Sequence, residues 1–317
     1  FVFRRLLPYP RRIAVLARLL YFYQHSGLQS VARASGILGF LGLAQRERLL
    51  PPIDKKFFFS NLGRTYPAVG PRRARVALFA GCVAQVSFSK LHEATIRVLT
   101  ANGCEVVVPA GQSCCGALAA HAGVRDAARD LARINLAAFL AGDFDAVITN
   151  AAGCGSTLKE YEDFFPAGSD DHARALAFRK KMRDATEFLA DLGMTAKLAA
   201  MPERVTYQDS CHLLHGQKIR EAPRQLLRAI PGVELVEMAM SDYCCGSAGS
   251  YNVTETETSL ALLAEKMKHA RATSAPMIVT ANPGCLLQMR AGAEIHGTGQ
   301  EVVHVMELLD RALAKNS

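Results

Sequence analysis

The chain has 317 residues, 50% of them hydrophobic and 21% charged, with no tryptophan. This composition excludes disorder and a collagen-like repeat and is ample for two buried cores; no apolar stretch approaches the roughly 20 residues of a membrane-spanning helix, and none reads as a secretory signal. The net charge of +8 divides unevenly, because residues 1–75 hold 14 basic against two acidic side chains and the remainder carries a net −4.

In chain order the basic segment comes first. Phe1 stands where an initiator methionine would, which reads as a processed or trimmed start. Arg4, Arg5, Arg11, Arg12 and Arg18 alternate with Leu6, Leu7, Ile13, Val15, Leu16, Leu19, Leu20, Tyr21 and Phe22 at near-helical spacing. Such a mixture predicts a mostly helical leader over residues 1–75. It is either a solvated helix on its own body or a segment docked on a partner, a further domain or an anionic membrane face. No nucleic-acid motif accompanies the charge, so nucleic acid is not an expected partner.

Behind the leader the pattern alternates. Residues 76–80 form a short apolar run stopped by Gly81 and predict a buried strand; residues 89–100 have helical spacing at Leu91, Ala94, Val98 and Leu99. A β-branched run at 105–108 predicts a second strand, 125–140 a helix, and 146–149 a third strand. The order then recurs, with strands at 204–207, 234–237 and 277–280 and helices at 222–229 and 258–272. Alternating strands and helices imply parallel-sheet α/β units, here two of them, at 76–200 and 201–317.

The cysteines carry the repeat. Eight of the nine form two copies of one pattern: Cys82, Cys114-Cys115-Gly116 and Cys154, then Cys211, Cys244-Cys245-Gly246 and Cys285, with offsets of 129, 130, 130 and 131 residues. Every one of them follows a predicted strand, so each set is expected at the carboxyl end of its sheet, where ligands of open α/β folds collect. Cys104, alone before an apolar strand, reads as a small core residue.

Four thiolates from three loops suit zinc or an iron–sulfur cluster. Zinc sites usually pair ligands two to four residues apart, and two directly adjacent thiolates are cramped on one ion; a cluster takes them on different irons. Gly81, Gly116, Gly153, Gly155, Gly246, Gly249 and Gly284 crowd the cysteines, and bare backbone there lets N–H groups reach cluster sulfur. Buried unliganded thiols are the plainer alternative. His121, His212 and His215 lie near the cysteines and read either as packing or capping groups or as groups facing a cluster or quinone; His92-Glu93 is no zinc-protease motif, because Ile96 stands where the second histidine belongs.

These residues resemble the cysteine-rich CCG domain in tandem. That domain occurs in heterodisulfide reductase B-type subunits, lactate-utilisation proteins, anaerobic glycerol-3-phosphate dehydrogenase subunits and glycolate oxidase iron–sulfur subunits. Tyr243-Cys-Cys-Gly-Ser-Ala-Gly-Ser-Tyr251, Lys266-Met267 and Ile278-Val-Thr-Ala-Asn-Pro-Gly-Cys285 are most similar to the last group. So are Gly153-Cys-Gly155 with Lys159-Glu-Tyr161, and Cys211-His-Leu-Leu-His215-Gly-Gln217. The resemblance covers residue 70 to the C-terminus and, more loosely, the leader. It implies the C-terminal two-thirds of such a subunit, without the family's ferredoxin-like domain.

The resemblance implies metal ligation by the eight repeated cysteines, with Gly81, Gly116, Gly153, Gly246, Gly284 and His215 around the bound group. It departs from many CCG domains where a fifth cysteine would stand, at Thr157 and Gln288. Four cysteines per repeat favour a conventional 4Fe–4S cluster and a relay role, with zinc an option for one repeat. No flavin or nicotinamide motif is present, and hydride removal from glycolate needs one. The implied function is the electron-transfer subunit of a glycolate dehydrogenase, cytoplasmic or peripheral on the inner membrane face. It would take electrons from an FAD-binding partner towards a quinone or other acceptor, with no catalytic residue of its own. Two alternatives remain open: a heterodisulfide-reductase-like or lactate-utilisation-like oxidoreductase whose cluster is catalytic, and a metal-stabilised docking module.

Overall fold

A short run of small and branched apolar residues with no polar face survives in water only between two layers, and the central strands of this chain are such runs. A computed structural model describes residues 2–314. β1 (Thr65–Tyr66), β2 (Ala74–Leu78), β3 (Cys104–Val107), β4 (Ala146–Thr149) and β5 (Met182–Asp184) form one sheet in the order β1-β3-β2-β4-β5. β6 (Arg204–Gln208), β7 (Glu234–Glu237), β8 (Met277–Thr280) and β9 (Glu301–His304) form a second in the order β7-β6-β8-β9. Val76 lies opposite Val106 and Ala146 in the first, and Thr206 opposite Val236 and Ile278 in the second. All pairings are parallel except β1 on β3.

The two α/β units and their helical preface are therefore as expected, with additions. β1 makes the first sheet mixed, and β5 and β9 add an outer strand to each repeat. None of the three was predicted: Thr65–Tyr66 and Met182–Asp184 are too short to carry a strand signal, while Glu301–His304 has the same apolar pair between polar ends as the predicted Glu234–Glu237.

The sheets share a layer of helices. The helix after β2, Ser89–Ala101, packs on the helix after β9, Val305–Ala314. The helix after β6, Glu221–Arg228, packs on the helix after β5, Ala185–Leu192, so equivalent elements exchange places across a pseudo-twofold axis. Leu91, Leu99, Leu189, Leu227 and Leu308 are all fully buried in one core cluster that also holds Val76, Ile148, Val205 and Ile278. Polar links pin the layer: Arg97 donates both arms of its fork to Asp310 at 2.7 Å, and Asp184 caps the helix Ala185–Leu192 in a capping box with Glu187. His304 Nε2 bonds the Asn150 carbonyl of the other repeat at 3.0 Å, while its Nδ1 accepts from Met306 N.

The leader is helical at Pro10–His25, Leu28–Ala34, Ile37–Phe40 and Ala44–Arg48. Pro10–His25 buries Ile13 and Ala17 against Ile53 and Val86, and exposes Val15, Leu16, Leu19 and Phe22. Buried Glu47 accepts from Gln29 and Arg33, tying the short helices together. Among the described residues no helix is long and apolar enough to cross a membrane.

Because the core is common to both repeats, Leu308→Ala should cost about 2–5 kcal/mol and leave a single cooperative unfolding transition in circular dichroism. Separate melting of the two repeats would contradict the shared core. His304 supplies a pH dependence. Burial pulls its pKa from 6.5 down to about 4, so as pH falls below 6.5 the unfolded chain takes a proton that the folded chain refuses. Stability is lost through that window at about 1.4 kcal/mol per pH unit. The destabilisation caused by His304→Gln should accordingly shrink by about 2 kcal/mol between pH 7.5 and pH 5 in urea titrations. Asp184, which burial pushes up to about 6, titrates in both proteins and cancels in that difference.

Candidate metal centres

In each sheet the chain leaves the first strand to one side and returns to the other, which opens a crevice between β2 and β4 and between β6 and β8. Cys82 and Cys154 follow β2 and β4; Cys211 and Cys285 follow β6 and β8. The adjacent pairs, Cys114-Cys115 and Cys244-Cys245, arrive in the loops after β3 and β7. Cys154 and Cys285 each occupy the third residue of a helix, in Ala152–Lys159 and Pro283–Ile295, where the N-terminal dipole favours a thiolate.

All eight cysteines line one cleft of about 250 Å³. Within the first repeat the Cys82 thiol contacts Cys114 Sγ at 3.4 Å and Cys115 contacts Cys154 at 3.3 Å. The repeat extends to its backbone chemistry: Gly116 N donates to Cys114 Sγ at 3.5 Å, and Gly246 N to Cys244 Sγ at 3.3 Å. Both glycines take left-handed φ, +84° and +87°. A Cβ on Gly246 would overlap the Ser259 carbonyl oxygen, so only glycine turns the chain there.

Hydrogen bonds between thiols push their pKa values apart. Hydrogen bonds from Cys115 and Cys82 hold Cys114 well below the ordinary thiol range, while Cys82 and Cys115 are pushed up. In the second repeat the Cys211 thiol holds Cys244 down to about 6, and the Cys245 thiol holds Cys285 down to about 7, aided by Asn282 Nδ2 at 3.3 Å. Cys104 stands apart in β3, raised to about 11 by burial, as a core residue would be.

Among the described residues no three or more His, Cys, Asp or Glu side chains are set around a single metal ion. Each repeat nevertheless offers four soft sulfurs and a backbone N–H on one of them, the donor chemistry of an iron–sulfur cluster. The Ser113 hydroxyl beside Cys114 is buried without a partner. The positions lacking a fifth cysteine are filled by packing: fully buried Gln288 bonds Ser259 Oγ at 3.0 Å, and buried Thr157 contacts the Gly153 carbonyl at 3.5 Å.

The two sites meet. A Cβ on Gly155 would lie 2.8 Å from Gln217 Nε2, and one on Gly216 2.8 Å from Ser156 Oγ, so the segments after Cys154 and Cys211 pack side chain against glycine. Gln217 donates to the Ala152 carbonyl at 3.0 Å and Gly153 N to Asn282 Oδ1 at 3.4 Å. The His121 and His212 rings stack across the junction with centroids 6.2 Å apart.

Of the residues singled out in the sequence, Gly81, Gly153, Gly284, His121 and His212 line the cleft with the cysteines; Gly116 and Gly246 reach the sulfurs through N–H. His215 is exposed and is not among the lining residues. Sequence reasoning missed His92, buried at the cleft with Nε2 on the Ala80 carbonyl, and Asn282, whose place before Pro283-Gly284-Cys285 was the available signal.

Two parallel-rich sheets presenting eight thiols to one cleft define a tandem thiolate-bearing α/β protein. The cysteine-rich CCG domain matches twice, at residues 76–159 and 205–290, and the linker region of the glycolate oxidase iron-sulfur subunit matches residues 1–50. A probable glycolate oxidase iron-sulfur subunit of Bacillus subtilis is 43% identical over 97% of this chain and 70% of its own length. Lactate utilization protein A of Oceanobacillus iheyensis is 32% identical over 74% of this chain and 96% of its own. A hypothetical protein from Helicobacter pylori shares the fold, with a TM-score of 0.56 at 11% identity, over 81% of this chain and 52% of its own. The chain belongs to the glycolate oxidase iron–sulfur subunit family, with tandem CCG domains.

Gly246→Ala should destabilise the protein by at least about 2 kcal/mol in urea unfolding, from both the left-handed φ and the Ser259 overlap. Gly153→Ala, whose Cβ meets nothing within 4 Å, should stay within about 0.5 kcal/mol of the parent.

Proposed function

We propose that this chain is the iron–sulfur electron-transfer subunit of a glycolate, or other 2-hydroxy-acid, dehydrogenase complex. Cys82, Cys114, Cys115 and Cys154 hold one 4Fe–4S centre, and Cys211, Cys244, Cys245 and Cys285 hold a second. Zinc is the alternative occupant of one repeat. A bound centre of this type takes up and releases single electrons. Hydride removal from the substrate falls to FAD on a partner subunit, and this chain accepts the electrons singly and passes them towards a quinone. The observation that carries the reading is the convergence of two four-thiol sets on one cleft, in a chain 43% identical to a probable subunit of that name.

The residues have distinct tasks. The cysteines bind; Gly116 and Gly246 place backbone N–H groups on sulfur; Phe88, Leu118 and Leu287 give the cleft an apolar lining. The division at 1–75, 76–200 and 201–317 belongs to the same proposal. So does peripheral attachment of the leader to the anionic inner membrane face, since Arg5, Arg11, Arg12 and Arg18 are exposed beside Leu19 and Phe22. The shared cleft also favours a second reading, in which a substrate bound between the centres is reduced there.

Anaerobically purified protein should contain iron and sulfide in equal amounts and give a reduced-state EPR signal. Cys82→Ala and Cys211→Ala should each remove about half of the iron. Zinc without iron would leave only a docking module, and a radical trapped on adding a thiol substrate would move the assignment to the second reading.

A further inference from the structure

Lys266 is the one lysine buried among the described residues, with 0% of its surface exposed. It lies on the helix Thr256–Ala272. The 130-residue offset that relates Cys114 to Cys244 relates Lys266 to Leu136, which is also fully buried, on the helix Arg125–Leu140. The two repeats thus differ by a whole charge at one equivalent buried position.

No carboxylate contacts that charge. Lys266 Nζ donates to the carbonyls of Met240 at 2.8 Å and Ser241 at 2.9 Å, in the loop that leads into Cys244-Cys245. Asp209 is the nearby buried acid, and it is already answered by both arms of Arg224, at 2.8 and 2.7 Å, and by the Ser241 hydroxyl at 2.7 Å. Asp242 is 43% exposed and faces Arg220. Burial lowers the Lys266 pKa, and Cys245 and Cys285, with Asp209 and Asp242, act against that; Cys244 is held down first by the Cys211 thiol, then by the Gly246 N–H, with Lys266 adding to them. In the first repeat the leading influences on Cys82, Cys114 and Cys115 are one another, Cys154, burial and backbone N–H groups.

Resting on the electron-transfer reading above, we propose that Lys266 makes the two centres unequal: its fixed charge raises the reduction potential at Cys211, Cys244, Cys245 and Cys285 above that at the first-repeat cysteines, and so directs electrons from the first site to the second. A reduced flavin on the partner subunit supplies the electrons one at a time. In the internal step one electron leaves the first site, which is oxidised, and enters the second, which is reduced. No bond forms or breaks, and Lys266 keeps its proton while stabilising the negative charge that arrives. The same ammonium also braces Met240, a non-glycine residue at φ +55°. A purely structural brace would move stability and leave the potentials alone.

The test is an EPR-monitored redox titration of the intact protein, with signals assigned through Cys154→Ala and Cys285→Ala and with iron counted in every sample. The second-repeat signal should have the higher potential. Lys266→Met should lower its reduction equilibrium about tenfold, equivalent to about 59 mV for one electron, and leave the first-repeat signal in place. Lys266→Arg should stay near the parent value. If Lys266→Met does not fold or load iron, the order of the two potentials in the parent protein decides. A second site at or below the potential of the first, or an iron-loaded Lys266→Met with unchanged potentials, overturns the proposal. Absence of iron from the parent protein would instead bring down the electron-transfer reading on which it rests.

Discussion

Packing of the helices between the sheets is the constraint on which the rest of the molecule depends. Each sheet needs its inner face covered, and the four helices that cover one also cover the other. The layer is built from reciprocal contacts, Ser89–Ala101 on Val305–Ala314 and Ala185–Leu192 on Glu221–Arg228. Pseudo-twofold packing of this kind brings the carboxyl ends of both sets of strands to one side. The common cleft follows from that packing, and the cysteine loops meet because the sheets end together.

Within the cleft, local backbone chemistry decides what the thiols can do. A buried thiolate is costly unless something compensates it, and each repeat uses the glycine after its adjacent pair to aim an N–H at sulfur. At Cys285 the Cys245 thiol and Asn282 Nδ2 act in the same sense. Symmetry ends at the side chains behind the loops, where Leu136 faces one site's surroundings with hydrocarbon and Lys266 brings a charge to the other.

The cysteine repeat was fully legible, because the offset of about 130 residues is independent of any judgement about secondary structure. The central strands and the long helices were legible because full burial leaves continuous apolar runs and amphipathic periodicity. Two edges were not: Thr65–Tyr66 and Met182-Arg183-Asp184 are too short to read as strands, whereas Glu301–His304, with its Val302-Val303 pair, was as legible as Glu234–Glu237. The helices that begin at Ala152 and Pro283 also escaped notice, since Gly-Cys-Gly and Pro-Gly-Cys look like loop sequences. Lys266 was visible only as part of a family motif. Beside Glu265 and Lys268 it reads as one more solvated charge, and only the tertiary placement of its helix removes it from water. Conversely His215, attractive by its nearness to Cys211, is exposed.

The packing at Gly155 and Gly216 bears on motion. Two lobes joined by a hinge can open and close like a clamshell, and an electron-transfer protein built that way has a rate gated by how often the lobes approach. Here Gly155, beside Cys154, packs against the Gln217 side chain, Gly216 packs against Ser156 Oγ, and the core beneath them is continuous. The two halves are therefore joined both at the cleft and through the core, and relative motion of one against the other would have to break both contacts.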